Sequence, residues 1–305
     1  MRVVFFGSGV FGLPTLDWLL QAHEVVLVVS QPDRPAGRRR VPTPTPIAQR
    51  ALERGLPLER FESVNEPAAM STLRAADADV WIVIAFGQKL SAPLLDDRIA
   101  INLHGSLLPR WRGAAPIHHA VMAGDSRTGV TAITLADRMD AGDILGQAAL
   151  DIAASDTTGE LHDRLASLGP QVMEEVLAAV GTGRVDARTQ DEALVTRAPK
   201  LSRADASLST AMSGDRMRRM INGCAPWPGC DAVIAGESLR LLKAGPQQAH
   251  PPAGVVTREG DVGCHEGGLR LMEIKPAGGN AMAFEAWARG RRIEWPAVFS
   301  PAGLA

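Results

Sequence analysis

The sequence predicts an α/β protein, a Rossmann-like, doubly wound amino-terminal domain followed by a small OB-like β-barrel. Three observations carry that prediction. Arg2-Val3-Val4-Phe5-Phe6 is a short apolar run ending in glycine, as a buried parallel strand reads. Gly7-Ser8-Gly9-Val10-Phe11-Gly12 then fits G-x-G-x-x-G and opens an amphipathic helix, Leu13 to Ala22, before a second apolar run, Glu24 to Val29. After Ala198 the pattern changes to short strands divided by Gly and Pro turns.

Composition sets the bounds. A chain of 305 residues is long enough for two domains, each with its own core. Hydrophobic content of 46% and charged content of 22% are those of an ordinary globular protein. The formal net charge is only −2, so any nucleic-acid contact must come from a local basic patch. Cys224, Cys230 and Cys264 are odd in number, widely spaced and in no zinc pattern, which reads as thiols in a reducing compartment with no metal site. Tyrosine is absent, so Phe and Trp must supply the aromatic packing. The first twenty residues are apolar, but Gly7, Gly9, Gly12 and Pro14 interrupt them and no small-residue cleavage site comes after. No run reaches the length of a membrane span. A cytoplasmic protein without a membrane partner is expected.

The fingerprint wants an acidic residue at the end of the second strand to hold a ribose. Ser30-Gln31-Pro32 stands there instead, and Asp33 arrives only in the loop beyond. A structural turn is enough to need the glycines, so a nicotinamide cofactor is not expected. Residues 31–40 are punctuated by Pro and Gly, which forbid regular structure and put Arg34, Arg38, Arg39 and Arg40 on an exposed arm. Such a run is either a solvated charge cluster or a set of phosphate contacts. Thr43-Pro44-Thr45-Pro46 closes the arm ahead of a helix over 47–54. A helix over 68–76 and a buried strand, Val80 to Ile84, come next. The turn Ala85-Phe86-Gly87-Gln88-Lys89-Leu90 then sits at a strand's carboxyl end, where open α/β sheets bind ligands.

The next strand, 99–103, carries Asn102 and runs into His104. Two residues apart, their side chains point to the same face. A histidine can move a proton near neutrality, and an asparagine amide can donate to an oxyanion. Taken alone, the pair reads more simply as a satisfied core histidine beside a turn-forming asparagine. Beyond it, Pro116 opens a helix that ends at Ala123, and a strand over 129–135 leads to Asp140. Asp156 to Glu160 caps what reads as one long helix ending at Val180, with Leu161, Leu165, Leu168, Val172, Val176 and Ala179 on its apolar face. His118 and His119 read as structural, and His162 as a surface residue.

Residues 106–117, SLLPRWRGAAPI, closely resemble the signature loop of the methionyl-tRNA formyltransferases. The Asn-x-His pair resembles the wider family of enzymes that use 10-formyltetrahydrofolate. That family completes its site with an aspartate in a downstream Asp-x-Gly-Asp segment, and Asp140-Ala141-Gly142-Asp143 matches it. The resemblance implies Asn102, His104 and Asp140 as catalytic residues. It implies Ser106, Leu107, Leu108 and Pro109, with Phe86 and Gly87, as folate contacts; the family usually has tyrosine where Phe86 stands. The wording PDRPAGR resembles the loop with which the family engages the initiator tRNA acceptor stem. Arg34, Arg38, Arg39 and Arg40 are therefore the expected tRNA-binding residues, Arg38 foremost. Ala136-Asp137-Arg138 departs from the family's usual wording just before the aspartate. The activity implied by the resemblance is formyl transfer from 10-formyltetrahydrofolate to the α-amine of methionine on initiator tRNA, by a monomer that needs no metal.

The expected division is a catalytic domain over 1–187, a linker over 188–203 and a barrel over 204–305. Beyond a helix at about 215–222, strands are expected over 231–234, 238–242, 254–257 and 269–274; a small sandwich would read almost the same. Ala225-Pro226-Trp227-Pro228-Gly229 and Lys275-Pro276-Ala277-Gly278 resemble landmarks of the family's carboxyl-terminal domain. Leu208-Ser209-Thr210 stands where that domain usually has Ile-Asp-Trp, and Asn222-Gly223-Cys224-Ala225 replaces Arg-Ala-Phe-Asn. Arg216, Arg218, Arg219, Arg289, Arg291 and Arg292 read either as a basic face or as solvated charge. The nearest alternative is a folate-dependent formyltransferase acting on an amino sugar nucleotide, against which the arginine arm and the Pro-Trp-Pro-Gly landmark argue. A dehydrogenase lacks its ribose acid, and a hydrolytic folate module has no use for the arm.

Overall fold

Apolar runs without alternation become the central strands of a seven-stranded sheet. In chain order the amino-terminal strands are β1 (Arg2–Gly7), β2 (Glu24–Val29), β3 (Arg34–Ala36), β4 (Val41–Thr43), β5 (Leu58–Glu59), β6 (Val80–Ile84), β7 (Ala100–His104), β8 (Arg127–Thr134) and β9 (Ile144–Asp151). The sheet order is β5-β2-β1-β6-β7-β8-β9. Its first five strands run parallel, and β8 turns antiparallel to β7. The computed structural model describes residues 1–37, 40–209 and 211–302; Arg38, Arg39 and Thr210 lie outside the described residues.

Val3, Val4, Phe5 and Phe6 are all fully buried, each worth about 1.5–3 kcal/mol of transfer free energy. Helices α1 (Leu13–Ala22), α2 (Pro46–Glu53), α3 (Pro67–Ala75) and α4 (Ala92–Leu95) make the crossovers. At Gly7 a side chain would sit 2.6 Å from the Phe5 ring and 3.2 Å from the Ile84 carbonyl, so close packing alone demands glycine there. Thr45 caps α2, its hydroxyl accepting from the Ala48 amide at 3.1 Å.

Two local expectations are corrected. The arm is not irregular: β3 and β4 pair as a short antiparallel hairpin, with Pro35 opposite Pro42. Proline lacks an N–H but tolerates a two-stranded edge, where no further strand needs its donor. The long helix is two helices, α6 (Thr158–Ala166) and α7 (Gly169–Gly181), after α5 (Pro116–Ala123). Pro170 supplies no amide hydrogen, and its ring would crowd the carbonyl four residues back, so the apolar stripe continues across a break.

The chain divides into two compact units, one of residues 1–112, 129–150 and 162–197, the other of 113–128, 151–161 and the remainder from 198. In the second, α8 (Gly214–Cys224) precedes β10 (Cys230–Ile234), β11 (Glu237–Pro246), β12 (Val255–Val256), β13 (Asp261–Gly263), β14 (Gly268–Pro276) and β15 (Met282–Ala283). Helix α9 (Phe284–Arg289) and β16 (Ala297–Pro301) complete it. The antiparallel order β11-β10-β16-β12-β13-β14 closes through a β11–β14 pairing, so a barrel, not a sandwich, forms. Phe284, Trp287 and Trp295 fill it with rings 5.3 to 6.3 Å apart. Buried Asn222 uses both ends of its amide on Ala244, at 2.8 Å each, standing in for a ladder partner to β11. Arg218 and Arg219 pair with Asp215 and donate to the carbonyls of Ala154 and Ala123, which makes them ties within this unit. Arg291 pairs with Glu237 at 2.8 Å, while Arg216, Arg289 and Arg292 are exposed.

Candidate active site

The parallel strands β6 and β7 end side by side, Val83 opposite Asn102, and β8 flanks them with Ile133 opposite Asn102 and Thr131 opposite His104. Period-two alternation puts Asn102 and His104 on one face at this carboxyl edge. His104 is buried, with 7% of its side chain exposed. Its Nε2 lies 2.9 Å from the carbonyl oxygen of Trp111. A carbonyl can only accept, so Nε2 carries the hydrogen and donates it. Its Nδ1 faces Asp140 Oδ1 at 3.6 Å. Asp140 is itself 14% exposed and sits at φ 54°, a left-handed conformation that aspartate tolerates better than most residues. The Asn102 amide is half-buried and makes no side-chain hydrogen bond among the described residues.

The signature loop is wired to β8 through one hydroxyl. Thr131 Oγ1 donates to the Ser106 carbonyl at 2.6 Å and accepts from the Leu108 amide at 3.1 Å and from Gln147 Nε2 at 2.9 Å. Gln147 also donates to the Leu108 carbonyl, and the Ser106 hydroxyl donates to that of Arg110. Ser106 and Leu108 are buried, Leu107 and Pro109 half-buried. The Ser106 hydroxyl thus stays inside the loop, while its carbonyl ties the loop to β8. The Phe86 ring is buried against Phe6 at 5.5 Å, and its carbonyl accepts from Ser8 and Gln31. Exposed Ala85 and Gly87, both at positive φ, leave the strand end without a bulky side chain.

The Asp140 loop is pinned on both sides. Thr134 exchanges bonds with Asp143, its amide donating to the Asp143 carbonyl at 3.0 Å and its hydroxyl accepting from the Asp143 amide at 2.9 Å. A side chain at Gly142 would fall 1.7 Å from the Thr134 carbonyl, so only glycine fits. From the other side comes Gln190, whose Nε2 donates to the carbonyls of Asp140 at 2.8 Å and Gly142 at 2.7 Å. Gln190 Oε1 accepts from Arg112 Nε at 2.9 Å, and Arg112 also reaches Glu192 at 3.0 Å. Hydrogen bonds from Arg138 and then Arg112 hold the Glu192 carboxyl below the usual carboxylate range. Residues 188–197 read from sequence only as polar and irregular, so Gln190 and its partners were not anticipated; a lone glutamine in a turn-rich stretch carries no periodic signal.

On the arm, Arg34 pairs with Glu62 at 2.6 Å and Arg40 is exposed. An apolar groove of about 460 Å³ elsewhere in the unit, lined by Leu95, Ile101, Leu145, Val180 and Val185 among others, contains none of the candidate residues.

Residues 1–177 match the family described as Formyl transferase, and residues 200–292 match its C-terminal domain. A methionyl-tRNA formyltransferase of Methylococcus capsulatus is 40% identical over 291 residues, covering 93% of this chain and 94% of that one. Its counterpart in Xanthomonas axonopodis pv. citri is 40% identical over 301 residues, covering 96% and 98%. Among solved structures, HypX from Aquifex aeolicus in complex with tetrahydrofolic acid superposes with a TM-score of 0.63 at 14% identity, over 95% of this chain and 47% of HypX, so the chain spans about half of that protein. WlaRD, a sugar 3N-formyl transferase solved with dTDP and 5-N-formyl-THF, gives 0.63 at 12% identity over 88% and 95%. At such identities these two likenesses speak for the fold. The near-complete, 40% identical relatives speak for more, and the chain belongs to the methionyl-tRNA formyltransferases within the formyl transferase family.

Proposed function

We propose that this chain transfers a formyl group from 10-formyltetrahydrofolate to the α-amine of methionine on initiator tRNA, yielding N-formylmethionyl-tRNA for translation initiation. The observation that carries the chemistry is the placement of His104 against Asp140, with the Asn102 amide beside them and uncommitted. The donor supplies an electrophilic formyl carbon on a nitrogen able to leave. Asn102 donates its amide hydrogen to the formyl oxygen and stabilises the negative charge that grows there. His104 and Asp140 act as one acid–base unit: they take the proton released by the attacking amine and return one to the departing nitrogen. Trp111, through its carbonyl, fixes which imidazole nitrogen faces Asp140.

The unbulky strand end at Ala85 and Gly87, the backbone of Phe86 and the loop of Ser106, Leu107, Leu108 and Pro109 border the place for the folate. Ser106 and Phe86 serve there through the backbone they hold in shape. Arg34, Arg38, Arg39 and Arg40 bind the tRNA backbone, Arg34 having first to share or release Glu62. The enzyme works as a cytoplasmic monomer. The test is formyl transfer to charged initiator tRNA, run beside charged elongator tRNA and an amino sugar nucleotide. Product from the initiator alone is the expected result; product only on the sugar would replace this reading.

A further inference from the structure

We propose that Gln190 is a positioning residue for the reaction: it holds Asp140 in its left-handed conformation against His104. The inference rests on Asp140 sharing the acid–base work with His104. Gln190 is 4% exposed, and its side-chain amide engages three partners. Arginine has only donors, so Oε1 must face Arg112; the carbonyls of Asp140 and Gly142 need donors, so the NH₂ must face them. The amide has one possible orientation, and no other side chain of its size supplies an acceptor on one side and two donors on the other.

The segment around it, a 3-10 turn at Glu192–Leu194 between isolated bridges at Arg188 and Arg197, reaches both site loops. Its beginning pairs with the residue after Asp143: Ile144 and Arg188 exchange backbone bonds at 2.8 and 2.9 Å. Its end holds the signature loop, where the Thr196 carbonyl accepts from the Arg112 amide and the Thr196 hydroxyl from the Trp111 amide, each at 2.9 Å. Trp111 is the residue whose carbonyl orients His104. The strap therefore fixes the imidazole through Trp111 and the carboxylate through Gln190. A non-glycine residue at positive φ costs energy unless its surroundings over-determine it, and the bond to the Asp140 carbonyl is such a determinant. Gln190 touches no reacting atom. Its effect on rate passes through the distance between Asp140 and His104.

The experiment compares Gln190→Leu, Gln190→Glu, Asp140→Asn and the double variant Gln190→Leu/Asp140→Asn in the full chain. It measures kcat, KM for both substrates, single-turnover rates and Tm. Gln190→Leu keeps the volume and loses all three bonds, while Gln190→Glu keeps the bond to Arg112 and turns an acceptor toward two carbonyls. Both should lower kcat by about 10- to 100-fold with each KM within about threefold of wild type, the signature of a misplaced group rather than a lost binding contact. In the Asp140→Asn background, Gln190→Leu should cost less than about threefold further, because the group it positions is already disabled. Unchanged kcat in the Gln190 variants beside an impaired Asp140→Asn would overturn the proposal, as would a full penalty in both backgrounds or a loss confined to KM. Should Gln190→Leu fail to fold, Gln190→Glu and Arg112→Lys, which removes the Nε donor to Gln190, test the same bonds. Near-wild-type activity in Asp140→Asn would instead sink the catalytic reading on which the inference stands.

Discussion

His104 donates its Nε2 hydrogen to the Trp111 carbonyl at 2.9 Å, and that single bond decides what the rest of the ring can do. A neutral imidazole has one N–H, so Nδ1 keeps its lone pair and aims it toward Asp140, 3.6 Å away. In that neutral form two acceptors face each other across the gap. In the proposed reaction a proton taken from the amine would sit between them, and both ring nitrogens would then be donors.

If that geometry carries the chemistry, His104→Ala should lower kcat by about 10²- to 10⁴-fold, the usual range for losing a general acid–base group. Asn102→Ala should cost about 10²- to 10³-fold, as for one oxyanion donor. Steady-state kinetics on variants with wild-type far-ultraviolet circular dichroism would check both; a variant within threefold of wild type would remove its residue from the mechanism.

The arm should act on substrate capture. Arg38→Ala should raise KM for tRNA and reduce the salt slope of binding by about one, with KM for the folate unmoved. Arg34→Ala should do less, because Arg34 is already engaged by Glu62. Filter binding of the tRNA across a salt series separates the two, and equal, salt-independent affinities would make the hairpin a bystander.

Glu192 should mark an acid-sensitive step in stability. Hydrogen bonds from Arg138 and Arg112 depress its folded pKa below the ordinary value of 4.5. A depressed carboxyl contributes stability above the unfolded pKa and loses it as pH falls through the lower folded one. The Tm gap between wild type and Glu192→Gln should therefore be open at neutral pH and close below about pH 4.5. Thermal melts from pH 3 to 8 test this; a gap that stays constant with pH would show that the charge is not what matters.

In the barrel, Trp287→Ala should destabilise by about 3–5 kcal/mol, since the ring is 1% exposed and packs between Phe284 and Trp295. Its indole N–H also loses Glu237 at 3.2 Å. Urea unfolding monitored by tryptophan emission gives the number, and a cost under 1 kcal/mol would mean that the neighbouring rings collapse into the space.

The legible part of the sequence is the part with a period or a motif. Continuous apolar runs placed β1, β2, β6 and β7, and the two-residue spacing of Asn102 and His104 told that they share a face. The barrel's identity turned on β13 and β16, short strands that no alternation betrays, so barrel and sandwich could not be separated before the β11–β14 closure was seen. The break before Gly169 was hidden because the apolar stripe keeps its phase across it. Arg218 and Arg219 could not be assigned from charge alone, as their partners are backbone carbonyls distant in sequence. Gln190 was invisible for the same reason: its meaning lies in two carbonyls some fifty residues earlier, and backbone carbonyls leave no trace in a sequence.

The strap over 188–197 also sets a timetable. Every strand of the seven-stranded sheet is complete by residue 151, yet the groups that hold Trp111, Arg112 and Asp140 from the other side arrive only with residues 188–197. On a growing chain the sheet precedes these ties, and a fragment ending at residue 187 would keep the Thr134–Asp143 bonds but lack the bonds from Gln190 and Thr196. If Gln190 positions Asp140 as proposed, competence to react is the last thing this half of the chain acquires, delivered by a stretch that looks like a connector.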